Sequence, residues 1–360
     1  MSDEELGGGV SRAAPEALET GAAAGEAKVA PAIKPVEPRS RVSVPETAAL
    51  FVVLIVLFVF FSITSPYFFN ADNLVNILQN VARIGIVACP ATILLISGQF
   101  DLSVGSLAGF TAMVMAVAAA PVGVTKTPFA LGLPIDIAFI VAILAALLVG
   151  VVNAICVTTF RINALITTLG TLAIFRGLTK VLGDGQTIRI EGFGGLGITR
   201  IAGIPIPVYI FAIVIVVSFF ILRYTTYGRS MYAIGASPTA ARLAGIRTGR
   251  AIFIGFILSA AMAGLSGLIL LSQVGGASVN AGLGLELSVV TAVVLGGASL
   301  AGGRGGIVGT ILAVLIVGVL GNGLIQLRIP SFWIEVFGGV LLLAAVGFDQ
   351  LRIRLTKSAA

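Results

Sequence analysis

Between Thr47 and Gly347 the chain alternates long apolar runs with short polar breaks. A helix that crosses a bilayer needs roughly 20 apolar residues, with a working range of about 17–25. Ten segments meet that length: 47–64, 74–98, 103–121, 137–158, 164–182, 205–222, 251–271, 286–303, 305–325 and 331–347. Charges inside them are confined to Arg83, Arg176, Lys180, Glu286 and Glu335. The second segment is the least regular. Asn76, Gln79, Asn80 and Arg83 make its first turns polar on one side, and Pro90 interrupts the middle. A straight span fits this pattern, and so does a polar interfacial lead-in followed by a shorter buried helix.

Composition supports the same class. Of 360 residues, 58% are hydrophobic and 11% charged, against about 25% charged in ordinary soluble domains. Too few polar side chains exist to coat a globule, so much of the surface faces lipid. The 45 glycines suit membrane helices, where small residues let backbones approach closely. The expected fold is therefore all-α: a polytopic transmembrane bundle of about ten helices over residues 45–350. Residues 1–44 are rich in Ala, Gly, Pro and Glu and read as a disordered cytoplasmic tail. Asp3, Glu4 and Glu5 stand where a cleaved signal peptide would be basic. Residues 351–360 read as a second cytoplasmic tail.

Orientation follows from basic residues, which favour the cytoplasmic side. With both termini inside, fifteen Lys and Arg fall on inner segments and four (Lys126, Arg189, Arg200 and Arg328) on outer ones. The net charge of +6 does not imply a nucleic-acid partner, because the basic residues are scattered between apolar runs. Histidine is absent, which removes Ser-His-Asp triads and histidine metal sites. Cys89 and Cys156 lie in apolar stretches and read as packed thiols. Arg176 and Lys180 share a helix face and repel. Both should reach water or an acid such as Asp184 or Glu286; Lys180 can snorkel to the outer interface, whereas Arg176 is deeper and is the better candidate for a polar contact within the bundle. Tyr67 and Trp333 read as interface anchors.

The inner loop 223–250 carries the densest signal. Ser237 suits an N-cap, Pro238 the first helical position and Gly245 the residue after a helix. A two-turn helix embedded in a cytoplasmic loop follows, with Ala240, Ala241 and Ala244 small enough for close packing and Arg242 basic. Physics alone leaves two roles open for it: a docking element for a partner, or an interfacial helix on anionic lipid.

Three ordered motifs carry a family resemblance. Gly228…Gly235-Ala236-Ser237…Ala240-Ala241…Gly245-Ile246 resembles the cytoplasmic signature loop of the ribose/xylose-type permeases of ABC importers. Gly98-Gln99-Phe100-Asp101-Leu102-Ser103-Val104-Gly105-Ser106 is similar to that family's Gly-Ile-Asp-Leu-Ser-Val-Gly turn, with Gln99-Phe100 where a single Ile is usual. Gly296-Gly297-Ala298-Ser299-Leu300-Ala301-Gly302-Gly303-Arg304-Gly305 resembles its glycine-rich turn. The likeness covers roughly residues 45–350. It implies a bacterial inner-membrane importer of monosaccharides or similar small carbohydrates, with two permease copies, two cytoplasmic ATPases and a periplasmic sugar-binding protein. The 237–245 helix would be the coupling helix that docks on the ATPase. ATP and Mg would be bound by the partner, and no cofactor by this chain.

Asp101 reads as a cap for the third span, and as a carboxylate at a span edge it is also a functional candidate. The 296–309 glycines suit packing, through the small-xxx-small pair Gly305 and Gly309, and a close backbone approach to a transported sugar is the second reading. Gly192-x-Gly194-x-x-Gly197 matches a dinucleotide fingerprint by letter, but an outer loop offers it neither the strand nor the helix such a site needs. No Gly-x-x-x-x-Gly-Lys-Ser/Thr occurs. An ion-coupled secondary transporter or channel is the competing function. It generally needs acids embedded within spans, and Asp101, Glu286 and Glu335 all stand at segment ends. An intramembrane enzyme has almost no acid–base or metal-ligating groups to use.

Overall fold

A computed structural model describes residues 46–123 and 127–357. The expected tail over 1–44 lies outside the described residues. The helices are α1 (Glu46–Thr64), α2 (Ala71–Ile96), α3 (Val104–Ala119), α4 (Ile135–Thr158), α5 (Ala164–Leu182), α6 (Gly195–Ile198), α7 (Ile206–Tyr224), α8 (Thr226–Ala236), α9 (Pro238–Leu243), α10 (Thr248–Val274), α11 (Leu285–Leu295), α12 (Ile307–Gln326) and α13 (Ser331–Lys357). Four two-residue strands make two small antiparallel pairs. In one, β1 (Ile188–Arg189) pairs with β4 (Gly276–Ala277); in the other, β2 (Arg200–Ile201) pairs with β3 (Ile204–Pro205).

Ten of the helices answer to the ten apolar segments. Among the described residues seven are long and apolar enough to cross a membrane, and α3, α11 and the Phe332–Gly347 stretch of α13 are shorter. The chain is an all-α polytopic membrane protein. Of the two readings open for the second segment, the straight span holds: α2 is one continuous helix through Pro90, capped by the Asn70 side chain, which accepts from Asp72 N. Two boundaries differ from expectation. The segment 286–303 is helical only to Leu295, because Gly296, Gly297, Gly302 and Gly303 form a turn there. Helix α13 continues through Lys357, so most of the stretch expected as a C-terminal tail is helix.

Helix α10 is the axis of the bundle. It packs on α2, α3 and α4, and small residues set the spacing. A Cβ on Gly150 would stand 2.6 Å from the Ala260 Cβ, and one on Gly264 the same distance from the Ala146 Cβ. A Cβ on Gly267 would overlap the carbonyl oxygen of Ala108 in α3. With no water to expel between lipid-facing helices, such packing is the main source of their association. By contrast, α1, α4, α5 and α7 expose rows of Leu, Ile, Val and Phe outward, as lipid contact requires. Near the outer ends of α2 and α12, Asn73 and Asn322 exchange amide hydrogen bonds of 2.9 Å each, and Gln326 adds a third onto the Asn73 oxygen.

The loops segregate as the charge bias requires. Two outer loops meet through the β1–β4 pair. Outer loop residue Gly197 donates its amide to Ser272 Oγ (2.8 Å) and accepts from Gln79 Nε2 (2.8 Å). The letter match to a dinucleotide fingerprint is thus flanked by a two-residue strand and the one-turn α6, not by nothing, and its last glycine is already used for packing.

Gly267→Val should lower the thermal unfolding midpoint in detergent, with a cost of about 1–3 kcal/mol from overpacking against a backbone that cannot swing away. Gly177→Val, at a position with open space, should leave the midpoint close to wild type.

Candidate functional site

The three motifs converge on one inner junction. Helix α8 starts at Thr225, whose hydroxyl accepts from Gly228 N, and buries Met231 and Ile234 against the bundle. Its last turn presents Gly235 to the end of α2. A Cβ there would collide with the carbonyl oxygen of Ile96 and the amide of Gly303, both backbone atoms. Gly303 N donates to Ile96 O (2.8 Å), and Tyr232 Oη donates to Gly305 O (2.8 Å). Burial raises the Tyr232 phenol against an opposing pull from Arg223. Gly302 lies in the left-handed region (φ 84°) with Gly98 and Gly235 against it. Only glycine adopts that conformation without strain, and only glycine leaves room for three chains to meet.

Helix α9 follows one residue after this junction. Ser237 is its N-cap, accepting from Ala240 N at 3.2 Å, and Pro238 opens its first turn. Gly245 has φ +81° in open space. The loop therefore contains two helices where one was expected. Ala241 is buried in the chain's own packing. Ala240, Arg242 and Leu243 do face outward, and Leu243 is 86% exposed. Sequence reasoning missed Leu243; the only signal was a lone leucine between Arg242 and Ala244.

Asp101 is not the cap residue of α3; Ser103 occupies that position. The Asp101 carboxylate accepts from Ser103 N (3.0 Å), Ser103 Oγ (2.6 Å) and Ser259 Oγ of α10 (2.7 Å). Asn153 Nδ2 of α4 donates in turn to Ser103 Oγ (2.9 Å). One buried carboxylate thus fastens three helices.

Depth is what the sequence concealed. Ser259 lies eleven residues into α10, about 16 Å from its inner end at 1.5 Å per residue. Asp101 and the start of α3 therefore sit well inside a hydrocarbon layer of about 30 Å. On the other side of Gly105 the chain between β4 and α11 dips to the same level. A Cβ on Gly105 would strike the Glu286 carboxylate and stand 2.7 Å from Gly282 O. Helix α3 has 16 residues and α11 has 11; neither spans alone, and both begin at mid-depth. Glu286 and Asp101 stand at helix ends, as expected, but those ends are inside the bundle. Their position therefore does not weigh against an ion-coupled carrier as the sequence suggested.

Glu286 Oε1 meets Arg176 Nη2 at 3.2 Å, the acid that Arg176 called for. Both line a cavity of about 840 Å³ with Arg83, Asn280, Ser288, Thr291 and Glu335. Gly296 and Gly309 pack against each other at the α11–α12 turn, away from the cavity, while Gly297 (φ 89°) turns the chain. Among the described residues no cluster of His, Cys, Asp and Glu could hold a metal. The two thiols are free.

A helical bundle with a mid-depth cavity and a two-helix platform on its inner side is a transmembrane permease. Residues 73–346 match the family described as "Branched-chain amino acid transport system / permease component", and the chain belongs to it. The chain is 38% identical over 309 residues to the ribose import permease protein of Escherichia coli K12, covering 83% of this chain and 92% of the relative. It is 34% identical over 307 residues to the L-arabinose ABC transporter permease protein of Azospirillum brasilense, with 85% and 88% covered. It is 32% identical over 324 residues to the autoinducer 2 import system permease protein of Photorhabdus luminescens, with 88% and 93% covered. No solved structure matches the chain. The protein is a multi-pass inner-membrane permease and a transporter, not a catalyst.

Asp101→Ala should destabilise the protein in detergent by about 2–4 kcal/mol, because three buried donors lose their acceptor. Asp101→Asn should retain most of the stability, since its oxygen can face Ser103 and the Ser259 hydroxyl can turn to accept. Equal losses in the two variants would mean that the charge, and not the hydrogen-bond geometry, is what the cluster uses.

Proposed function

We propose that this chain is the permease subunit of an ATP-binding-cassette importer that carries a monosaccharide or similar small carbohydrate across the bacterial inner membrane. The observation that carries the reading is the junction at Gly235, where α8 joins the platform to the turns that end α2 and precede α12. A push on α9 reaches those turns through backbone contacts, with no flexible side chain between. The relatives named for ribose and L-arabinose support a sugar as cargo. In this reading an ATPase subunit docks on α9 and a periplasmic binding protein delivers the sugar to the outer face. ATP and Mg bind the ATPase. Two copies of this chain form the complex, and lipid surrounds α1, α4, α5 and α7.

The exposed Leu243 is the apolar knob of the docking surface. Burying a leucine contributes about 1.5–3 kcal/mol, and each 1.4 kcal/mol is a factor of about ten in affinity. Leu243→Asp should therefore weaken retention of the ATPase at least tenfold in a pull-down, while leaving the bundle folded. In proteoliposomes, sugar uptake should require ATP, the ATPase and the binding protein together. Uptake driven by a cation gradient with this chain alone would refute the importer reading.

A further inference from the structure

We propose that α5 and α13 form the face on which a second copy of this chain seats, α5 of each copy lying against α13 of the other. The inference rests on the two-copy importer proposed above and adds the surface where the copies meet. Charge is the first argument. Lys180 of α5 and Glu335 of α13 are both exposed, and among the described residues neither has an ion-pair partner. Both stand near the outer ends of their helices, Lys180 before Leu182 and Glu335 after Ser331, about 3 and 6 Å inward at 1.5 Å per residue. A charge on the lipid side of a span is costly. Lys180 can reach water along its own stem; the shorter Glu335 has less reach. A two-fold axis along the membrane normal brings each Lys180 to the Glu335 of the other copy at matching depth, and does so twice.

Position is the second argument. Within one copy α5 rests on α3 and α13 on α11, so they flank the two short helices. The cavity of about 840 Å³ lies between them: α5 supplies Arg176 to its lining, and α13 supplies Glu335, Gly338 and Gly339. A second copy seated across α5 and α13 covers this charged rim with protein instead of hydrocarbon.

Shape is the third. Helices α1, α4 and α7 present large side chains outward. Around α5 from Arg176, at about 100° per residue, come Lys180, Ala173, Gly177 and Gly170, and these four are exposed. A Cβ on Gly170, Gly177, Gly338 or Gly339 would meet nothing within 4 Å. Both helices therefore leave room for a close neighbour, which small residues permit. Lipid keeps α1, α4, α7 and the far edge of α5, where Ile174 and Leu178 are exposed.

The test co-expresses two differently tagged copies with the ATPase and the binding protein, both in a Cys156→Ser background with Cys89 buried. One copy carries Gly177→Cys and the other Gly338→Cys, about 8 and 11 Å from the outer helix ends. A short bismaleimide should join the two tags in intact membranes. Ile213→Cys on α7 is 63% exposed and lies as deep as Gly338, and it should give no product with Gly338→Cys. In detergent, Glu335→Lys should raise the dissociation constant between copies about tenfold or more, as facing like charges do, and adding Lys180→Glu should restore it. Absence of the Gly177–Gly338 product, an equal product through Ile213→Cys, or no restoration in the double variant would each overturn this face. The mass of the purified wild-type complex then separates the two failures. Two permease copies leave the importer reading standing, and a single copy removes the two-copy assembly as well.

Discussion

Three stretches of backbone meet at Gly98, Gly235 and Gly302 with no side chain between them. Everything on the inner side of the bundle depends on that approach. Any Cβ at Gly235 meets main-chain atoms that cannot change rotamer, so the contact is either intact or broken. In the importer proposed above, a displacement of α8 and α9 would pass through this joint to the ends of α2 and α12. Glycine is usually a source of freedom in a chain; here its lack of a side chain produces a stiff joint.

The second constraint is the pair of short helices. Helix α3 starts beside Asp101 and α11 starts beside Glu286, and Gly105 brings the two starts together. Irregular backbone is tolerated at membrane depth only where it is buried in protein or lines a cavity. Both conditions hold here. Asp101 occupies the buried side, with its oxygens taken by Ser103 and Ser259. Glu286 lines the cavity, with one oxygen on Arg176 and the other packed against Gly105. Two carboxylates of similar burial thus have different work. One fastens helices, and one holds Arg176 beside the cavity.

Much of this was legible in the sequence. Hydropathy located all ten apolar helices, and capping chemistry placed α9 through Ser237, Pro238 and Gly245. The depth of Arg176 called for a polar contact within the bundle, and of the alternatives the sequence left open Glu286 is the partner. What failed did so for identifiable reasons. Residues 296–303 are apolar, so hydropathy counted them as span, although glycines with positive φ end the helix at Leu295. Helix α8 was missed although Tyr227, Met231 and Ile234 recur at helical spacing. The depth of Asp101 and Glu286 could not be read at all, because it depends on where α3 and α11 rest against α10. That is a property of tertiary packing, which no local pattern encodes.

The central claim is that the glycine junction carries motion from the platform to the cavity. The direct measurement is labelling of Leu287→Cys, a position lining the cavity, by a membrane-impermeant thiol reagent in reconstituted complexes with and without ATP. A Cys156→Ser background removes the accessible native thiol, and Cys89 is buried. The labelling rate should change with nucleotide in the otherwise wild-type complex and become insensitive to it when Gly235→Ala is added with the ATPase still bound. A nucleotide-dependent change that survives Gly235→Ala would contradict the account, because the signal would then reach the cavity by another route.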